Sequence, residues 1–142
     1  LLVNKYEKLQ EEKEFSGLSS SLLSELARQS SEEWGFSLFI AYENDYQKDD
    51  DPLGMLVSVR HGDTATYLIG LTNTKGRSFQ INYVLLWMAI LHSKDEGCKW
   101  FDIGGLDSTT PEGIRHFKSG VNSEAYGLIG EWRGVLYPWK KL

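Results

Sequence analysis

The chain has 142 residues, of which 41% are apolar and 13% aromatic, enough for one packed core and the usual length of a single domain. No apolar run approaches the ~20 residues that a membrane-spanning helix needs, and a single cysteine, Cys98, excludes an internal disulfide and a cysteine-built metal cluster. The net charge of -5 is uneven: residues 1–51 hold twelve acidic and five basic side chains, residues 52–142 eight acidic and ten basic. A polyanion is repelled by the first part and tolerated by the second.

Residues 2–13 are rich in Glu and Lys and predict an exposed helix, broken at Ser16-Gly17. A second helix over residues 19–28 starts behind serine N-cap candidates and sets Leu22, Leu23 and Leu26 at helical spacing for a buried stripe. Alternation predicts a strand over 36–43, then a polar turn over 44–51. Asp49-Asp50-Asp51 lacks the spaced ligands and late glutamate of a calcium loop and reads as a solvated hairpin tip. Strands over 53–60 and 64–70 flank the tight turn His61-Gly62-Asp63, giving an antiparallel meander of three. His61 there suits a turn hydrogen bond better than catalysis.

Residues 71–78, Leu-Thr-Asn-Thr-Lys-Gly-Arg-Ser, read as a loop leading into a long helix over 79–96 that is apolar on most sides and therefore lies across a sheet. Gly97 stops it, and a strand over 99–103 follows almost at once, so helix and strand form the crossover of a βαβ unit with this strand parallel to 64–70. After Gly104-Gly105, Thr110 as N-cap and Pro111 at the first helical position start a short helix that ends at Ser119-Gly120. Residues 124–132 and 135–139 read as a closing hairpin with Tyr126, Trp132, Tyr137 and Trp139 on one side.

Two stretches carry chemistry. An apolar strand delivers Asp102 to a double glycine, where the carboxylate either orients or deprotonates an incoming amine or caps the amides of the glycine turn. Gly104 and Gly105 allow backbone to approach a ligand closely, and a sharp turn needs them as well. Asp107 reads as loop structure. The short helix sets Ile114, Phe117 and Lys118 on one side, so the lysine stem lies along apolar surface while its ammonium reaches the rim. Cys98 sits at a helix-strand junction and reads as a structural thiol.

The order of elements resembles the acyltransferase sheet of the GNAT superfamily, in which the loop before the central helix binds the donor and two neighbouring strands splay to admit it. The words along it sharpen the likeness: Thr66-Tyr67-Leu68-Ile69-Gly70, Leu85-Leu86-Trp87 with Ile90, Gly97 followed by Phe101-Asp102-Ile103-Gly104-Gly105, and Gly113-Ile114 with Phe117-Lys118. Over residues 36–138 the chain resembles the second GNAT-like domain of the Fem family, the aminoacyl-tRNA-dependent transferases that add amino acids to peptidoglycan precursors. The resemblance implies an α+β fold with a mixed, mostly antiparallel sheet and one parallel crossover. It also implies a donor supplied as the acceptor end of an aminoacyl-tRNA, an amine acceptor on a peptidoglycan precursor, no further cofactor, and a cytoplasmic place at the inner face of the membrane. In the family the lysine of the Phe-Lys pair is thought to stabilise the tetrahedral intermediate or the leaving tRNA end, which assigns that role to Lys118 with Phe117 beside it. Asp102, at the end of the parallel strand where such a fold opens its cleft, is the second catalytic candidate.

Two departures stand out. Fem proteins pair two such domains, so residues 1–142 are expected to be one GNAT-like domain of a longer protein, an expectation that the opening on Leu1 in mid-helix shares. After the Phe-Lys pair, where the family tends to have phenylalanine-glycine, this chain has Gly120-Val121-Asn122, which leaves subfamily and acceptor open. A CoA-dependent acetyltransferase is the first alternative, but its pyrophosphate loop is spelled Arg or Gln, two residues, Gly, one residue, then Gly or Ala. Asn73-Thr74-Lys75-Gly76-Arg77-Ser78 matches it poorly, and Lys75 and Arg77 suit the phosphates of a tRNA end instead. A catalytically inactive GNAT-like binding or structural domain is the second alternative.

Overall fold

The computed structural model describes residues 1–14, 17–29, 31–32, 34–47, 49–108, 110–121, 124–127 and 130. Residues 1–105 and 106–142 are two compact units, taken here one at a time.

The first unit is a four-stranded sheet with helices on both faces. Strands β1 (Trp34–Ala41), β2 (Gly54–His61) and β3 (Thr64–Thr72) form the expected antiparallel meander, and β4 (Trp100–Asp102) joins β3 in parallel, in the order β1-β2-β3-β4. Gly62 makes the β2–β3 turn possible: its φ of 60° is the left-handed value that the first central residue of a tight hairpin turn requires. The exposed His61 bonds through Nε2 to Thr66 Oγ1 at 3.0 Å, a contact within the hairpin.

Helices α1 (Leu2–Lys13) and α2 (Ser20–Arg28) cover one face. Ser19 caps α2 by accepting from the Leu22 amide at 3.2 Å, as read from the sequence. The core on this face joins Tyr6 and Leu23 to Met55, Val57, Ile69 and Leu71. Two expectations change here. The first helix is not merely exposed, because Leu2, Val3, Tyr6 and Leu9 recur at helical spacing among the Lys and Glu residues and pack inward. The stripe of α2 narrows to Leu23, since Leu22 is exposed and Leu26 only half-buried on so short a helix.

The other face is covered by helix α4 (Ile81–Asp95), which packs on β1, β2 and β3 through Leu85, Leu86, Ala89 and Ser93. Ser93 is satisfied within the helix, donating to the Ala89 carbonyl at 2.8 Å. The expected loop over 71–78 is replaced by the end of β3 and a one-turn helix, α3 (Thr74–Ser78), and the long helix expected from residue 79 starts at Ile81, behind Gln80, whose φ is 55°. Gly97, with φ 85°, ends the crossover helix as expected.

Within the second unit, helix α5 (Glu112–Ser119) has Pro111 rather than Thr110 at its N-cap, with no side-chain cap. Thr110 instead closes the preceding loop: its Oγ1 accepts from the Asp107 amide at 2.9 Å and donates to Asp107 Oδ1 at 3.0 Å. Of the expected closing hairpin, residues 124–127 carry no strand and Tyr126 is exposed, while Trp132, Tyr137 and Trp139 lie outside the described residues.

Candidate functional site

Strands β3 and β4 part early. Pairing is confined to Thr64 with Trp100, Ala65 with Phe101 and Thr66 with Asp102, while β3 runs on through Tyr67 to Thr72. The start of β4 is pinned by Asp63, whose backbone carbonyl accepts from the Lys99 amide at 2.7 Å and whose carboxylate pairs with Lys99 Nζ at 3.2 Å. The end is turned by Gly104, at φ 79°, a conformation that side chains with a Cβ resist. Asp102 is the last paired residue and stands where the two strands separate.

Asp102 Oδ1 accepts the Gly104 amide at 2.7 Å, so the carboxylate does cap the glycine turn. A Cβ on Gly105 would meet nothing within 4 Å, so close packing does not demand glycine at that position. Just beyond the paired stretch β3 carries a bulge: Ser58 opposes Tyr67 and Val57 opposes Ile69, leaving Leu68 as the extra residue. The Tyr67 ring folds back along the strand over Gly70, where a Cβ would fall 1.8 Å from the phenolic oxygen. Burial pushes the Tyr67 phenol up to about 12, so it stays a neutral hydroxyl at any physiological pH.

Lys75 and Arg77 belong to the other end of β3. Thr72 lies six residues beyond Thr66, about 20 Å along a strand. Each cation is held locally. Lys75 Nζ pairs with both carboxylate oxygens of Glu43 at 2.6 Å, and Arg77 donates to the Thr72 carbonyl at 2.9 Å and to Thr74 Oγ1 at 3.2 Å. The structure thus separates these two cations from Asp102 and the glycine turn.

Sequence reasoning missed the residue that organises this end. Asn73 caps α3 by accepting the Gly76 amide at 2.7 Å, and its side-chain amide donates to the Pro52 carbonyl at 3.0 Å. Gly76 is buried against the Leu53 carbonyl, where a Cβ would sit at 1.9 Å. An asparagine ahead of Thr-Lys-Gly is an N-cap signal that was available in the sequence. Of the first-turn amides of α3, that of Gly76 is thus already bonded.

Phe117 and Lys118 are the half-buried residues of α5, and Ile114 on the same side is exposed. Upstream, Arg115 donates to the Asp107 carbonyl at 2.7 Å, so Asp107 serves the loop as expected. Lys118 and Asp102 belong to different units. Burial raises the Cys98 thiol against the opposing pull of Arg60, which fits a structural rather than nucleophilic cysteine. Among the described residues no group of three or more ligating side chains is placed to hold a metal ion, and no helix is long and apolar enough to cross a membrane.

A mixed sheet whose one parallel pair parts after three residues, with a helix as the crossover, defines an α+β fold of the GNAT-like kind. The FemAB family model matches residues 3–141, and the chain belongs to that family. At the level of the family this is a transferase connected with peptidoglycan. Comparison with curated proteins and with solved structures gave no significant match.

Proposed function

We propose that the protein is a Fem-like aminoacyltransferase that moves an amino acid from the acceptor end of an aminoacyl-tRNA to an amine of a peptidoglycan precursor. The observation that carries the reading is the early parting of β3 from β4 at Asp102, in a chain that matches the FemAB family almost end to end. Residues 1–142 then act as one GNAT-like domain of a longer protein, with a second such domain supplying the precursor-binding half. The working place is the cytoplasm, at the inner face of the membrane.

The chemistry needs positioning, a proton acceptor for the amine and a positive group near the oxyanion. The amine nitrogen attacks the ester carbon of the aminoacyl-tRNA. The ester oxygen leaves with the ribose, and the proton lost from the amine ends on it. Lys118 is assigned to the developing oxyanion or the leaving ribose oxygen, with Phe117 ordering its stem. Asp102 is assigned to the amine, while Gly104 and Gly105 keep the backbone low beside it. Lys75 and Arg77, held by Glu43 and Thr72, are left with at most a phosphate-contacting role away from the reacting atoms.

The test is transfer of radiolabelled amino acid from charged tRNA to a lipid-linked or nucleotide-linked precursor, run beside acetyl transfer from acetyl-CoA with the full-length protein. Aminoacyl transfer that disappears in Lys118→Ala, with the circular dichroism spectrum intact, is the expected result. Acetyl transfer alone would replace this reading by the CoA-dependent one. Turnover unchanged in Lys118→Ala would end the assignment of that lysine.

A further inference from the structure

His61, Thr66 and Asp102 form a row across the sheet, one residue on each of β2, β3 and β4. Thr66 is in register with Asp102 in the parallel pair, so the two side chains leave the sheet on the same face, from strands about 4.8 Å apart. On the β2 side, Thr66 Oγ1 lies 3.0 Å from His61 Nε2. Burial falls along the row: Asp102 and Thr66 are half-buried and His61 is exposed. Asp102 keeps one carboxylate oxygen on the Gly104 amide. The spacing lets an alkyl ammonium set between the carboxylate and the Thr66 hydroxyl meet an oxygen on each side. A hydroxyl has lone pairs to accept from the ammonium and one O–H to donate to the imidazole.

We propose that Thr66 and His61 take the first proton from an acceptor amine that arrives as an alkyl ammonium, a role that rests on the aminoacyltransferase reading above. At pH 7 an alkyl amine with an ordinary pKa near 10.4 is only about one part in 2,500 free, and a nitrogen without a lone pair cannot attack an ester. Two protons must therefore leave it. In the first step the ammonium passes a proton to Thr66 Oγ1 while the threonine O–H passes its own to His61 Nε2. This leaves a neutral amine beside Asp102 and an imidazolium at the exposed end of the row, which releases the proton to solvent. The second proton leaves as the amine nitrogen bonds the ester carbon, and it ends on the ribose oxygen. Thr66 touches the amine and is the catalytic residue; His61 acts only through it, as a positioning residue. The charges on neighbouring elements are paired elsewhere. Asp63 in the β2–β3 turn and Lys99 ahead of β4 lie 3.2 Å apart, and Arg60 turns to Glu96 at 3.5 Å. Trp34, opposite His61 on β1, carries no charge.

The test is the pH profile of kcat/KM between about pH 6 and 9 for transfer from charged tRNA by the full-length protein, with a nucleotide-linked precursor bearing a lysine ε-amine as acceptor. Wild type, His61→Gln, Thr66→Val and Thr66→Ser are compared, each with its circular dichroism spectrum intact. The wild-type profile is expected to level off above about pH 7, where an imidazole is free to accept. His61→Gln and Thr66→Val depend on amine already free in solution, so their profiles are expected to climb about tenfold per pH unit, with a loss of about 10³-fold at pH 7 that shrinks to about 30-fold at pH 9. Thr66→Ser, which keeps the hydroxyl, is expected to follow wild type. A profile lowered equally at every pH in either damaged variant would show a merely structural contact and overturn the proposal, as would wild-type rates at pH 7 in either. A wild-type protein that transfers no amino acid from charged tRNA would overturn the aminoacyltransferase reading, and this proposal with it, before any variant is compared.

Discussion

Asp102→Asn separates the two jobs that the carboxylate at the end of β4 can hold. In the structure Asp102 Oδ1 accepts the Gly104 amide at 2.7 Å, and asparagine presents a carbonyl oxygen of the same reach. A hydrogen bond to a charged group contributes about 1.5–3 kcal/mol and a neutral one about 0.5–1.5 kcal/mol, so the exchange costs about 1 kcal/mol. For a chain of this size that lowers Tm by about 3–5 °C. Asp102→Ala removes the acceptor from a part-buried amide and costs about 2 kcal/mol. If the carboxylate also takes the proton of the attacking amine, Asp102→Asn loses the about 10²–10⁴-fold that a positioned base contributes, and the loss falls on kcat rather than on KM. Thermal melting of the three proteins, with tRNA-dependent transfer by the full-length enzyme, reads both effects. An asparagine variant that melts as calculated yet keeps kcat within about threefold has only lost a loop cap, and the catalytic assignment of Asp102 falls.

Further consequences follow from the same geometry. Gly76→Ala is expected to cost about 2–4 kcal/mol in urea unfolding, because its methyl group meets the Leu53 carbonyl at 1.9 Å and backbone must move. Gly105→Ala, with open space around it, is expected to stay within about 1 kcal/mol of wild type. Tyr67 has its folded-state value raised to about 12 from 10.0 by burial, so its contribution is complete below pH 10.0 and is lost as pH rises toward 12. The loss amounts to about 2–3 kcal/mol, visible as a steeper alkaline fall in stability than in Tyr67→Phe. The carboxyl of Asp51 is held below its ordinary 3.8 first by its hydrogen bond to Lys5 and then by that lysine's charge. Its contribution is therefore present above 3.8 and disappears as pH falls through the depressed folded value. Carboxyl NMR titration of Asp51 is expected to move back up in Lys5→Met, and an unmoved midpoint would show that the 2.7 Å pair does not persist in solution.

The sheet was legible in the sequence because its signals are local. Alternation marked β1 to β3, Gly62 fixed the turn, and a helix closed by Gly97 with almost no loop before Trp100 left a parallel crossover as the natural connection. What was not legible depended on residues far along the chain. Residues 71–78 look like a polar loop, yet Asn73 finds the Pro52 carbonyl and Gly76 finds the Leu53 carbonyl, partners more than twenty positions away that turn the segment into a capped helix. Arg60 is a similar case: its Nη1 donates to the Glu32 carbonyl and its Nε lies 3.5 Å from Glu96, contacts with no sequence signature.

Helix α4 and the glycine turn show two different limits of reading from residue order. Along α4 the apolar residues are too many to point in one direction, so the pattern established burial against the sheet without revealing which side would be used. Leu85, Leu86, Ala89 and Ser93 take the inner side because they stand one turn apart over β1–β3, and the larger Trp87 and Met88 are left outside. At the turn the ambiguity was chemical. A carboxylate before two glycines serves equally to cap an amide or to receive an amine, and the 2.7 Å bond to Gly104 establishes the first use without displacing the second. That bond fixes the rotamer of Asp102 at the point where β3 and β4 separate, which is how a catalytic carboxylate would need to be held before any substrate arrives. The cap is therefore a precondition for the proposed chemistry as much as a competing explanation, and only a variant that keeps the bond and removes the charge can tell them apart.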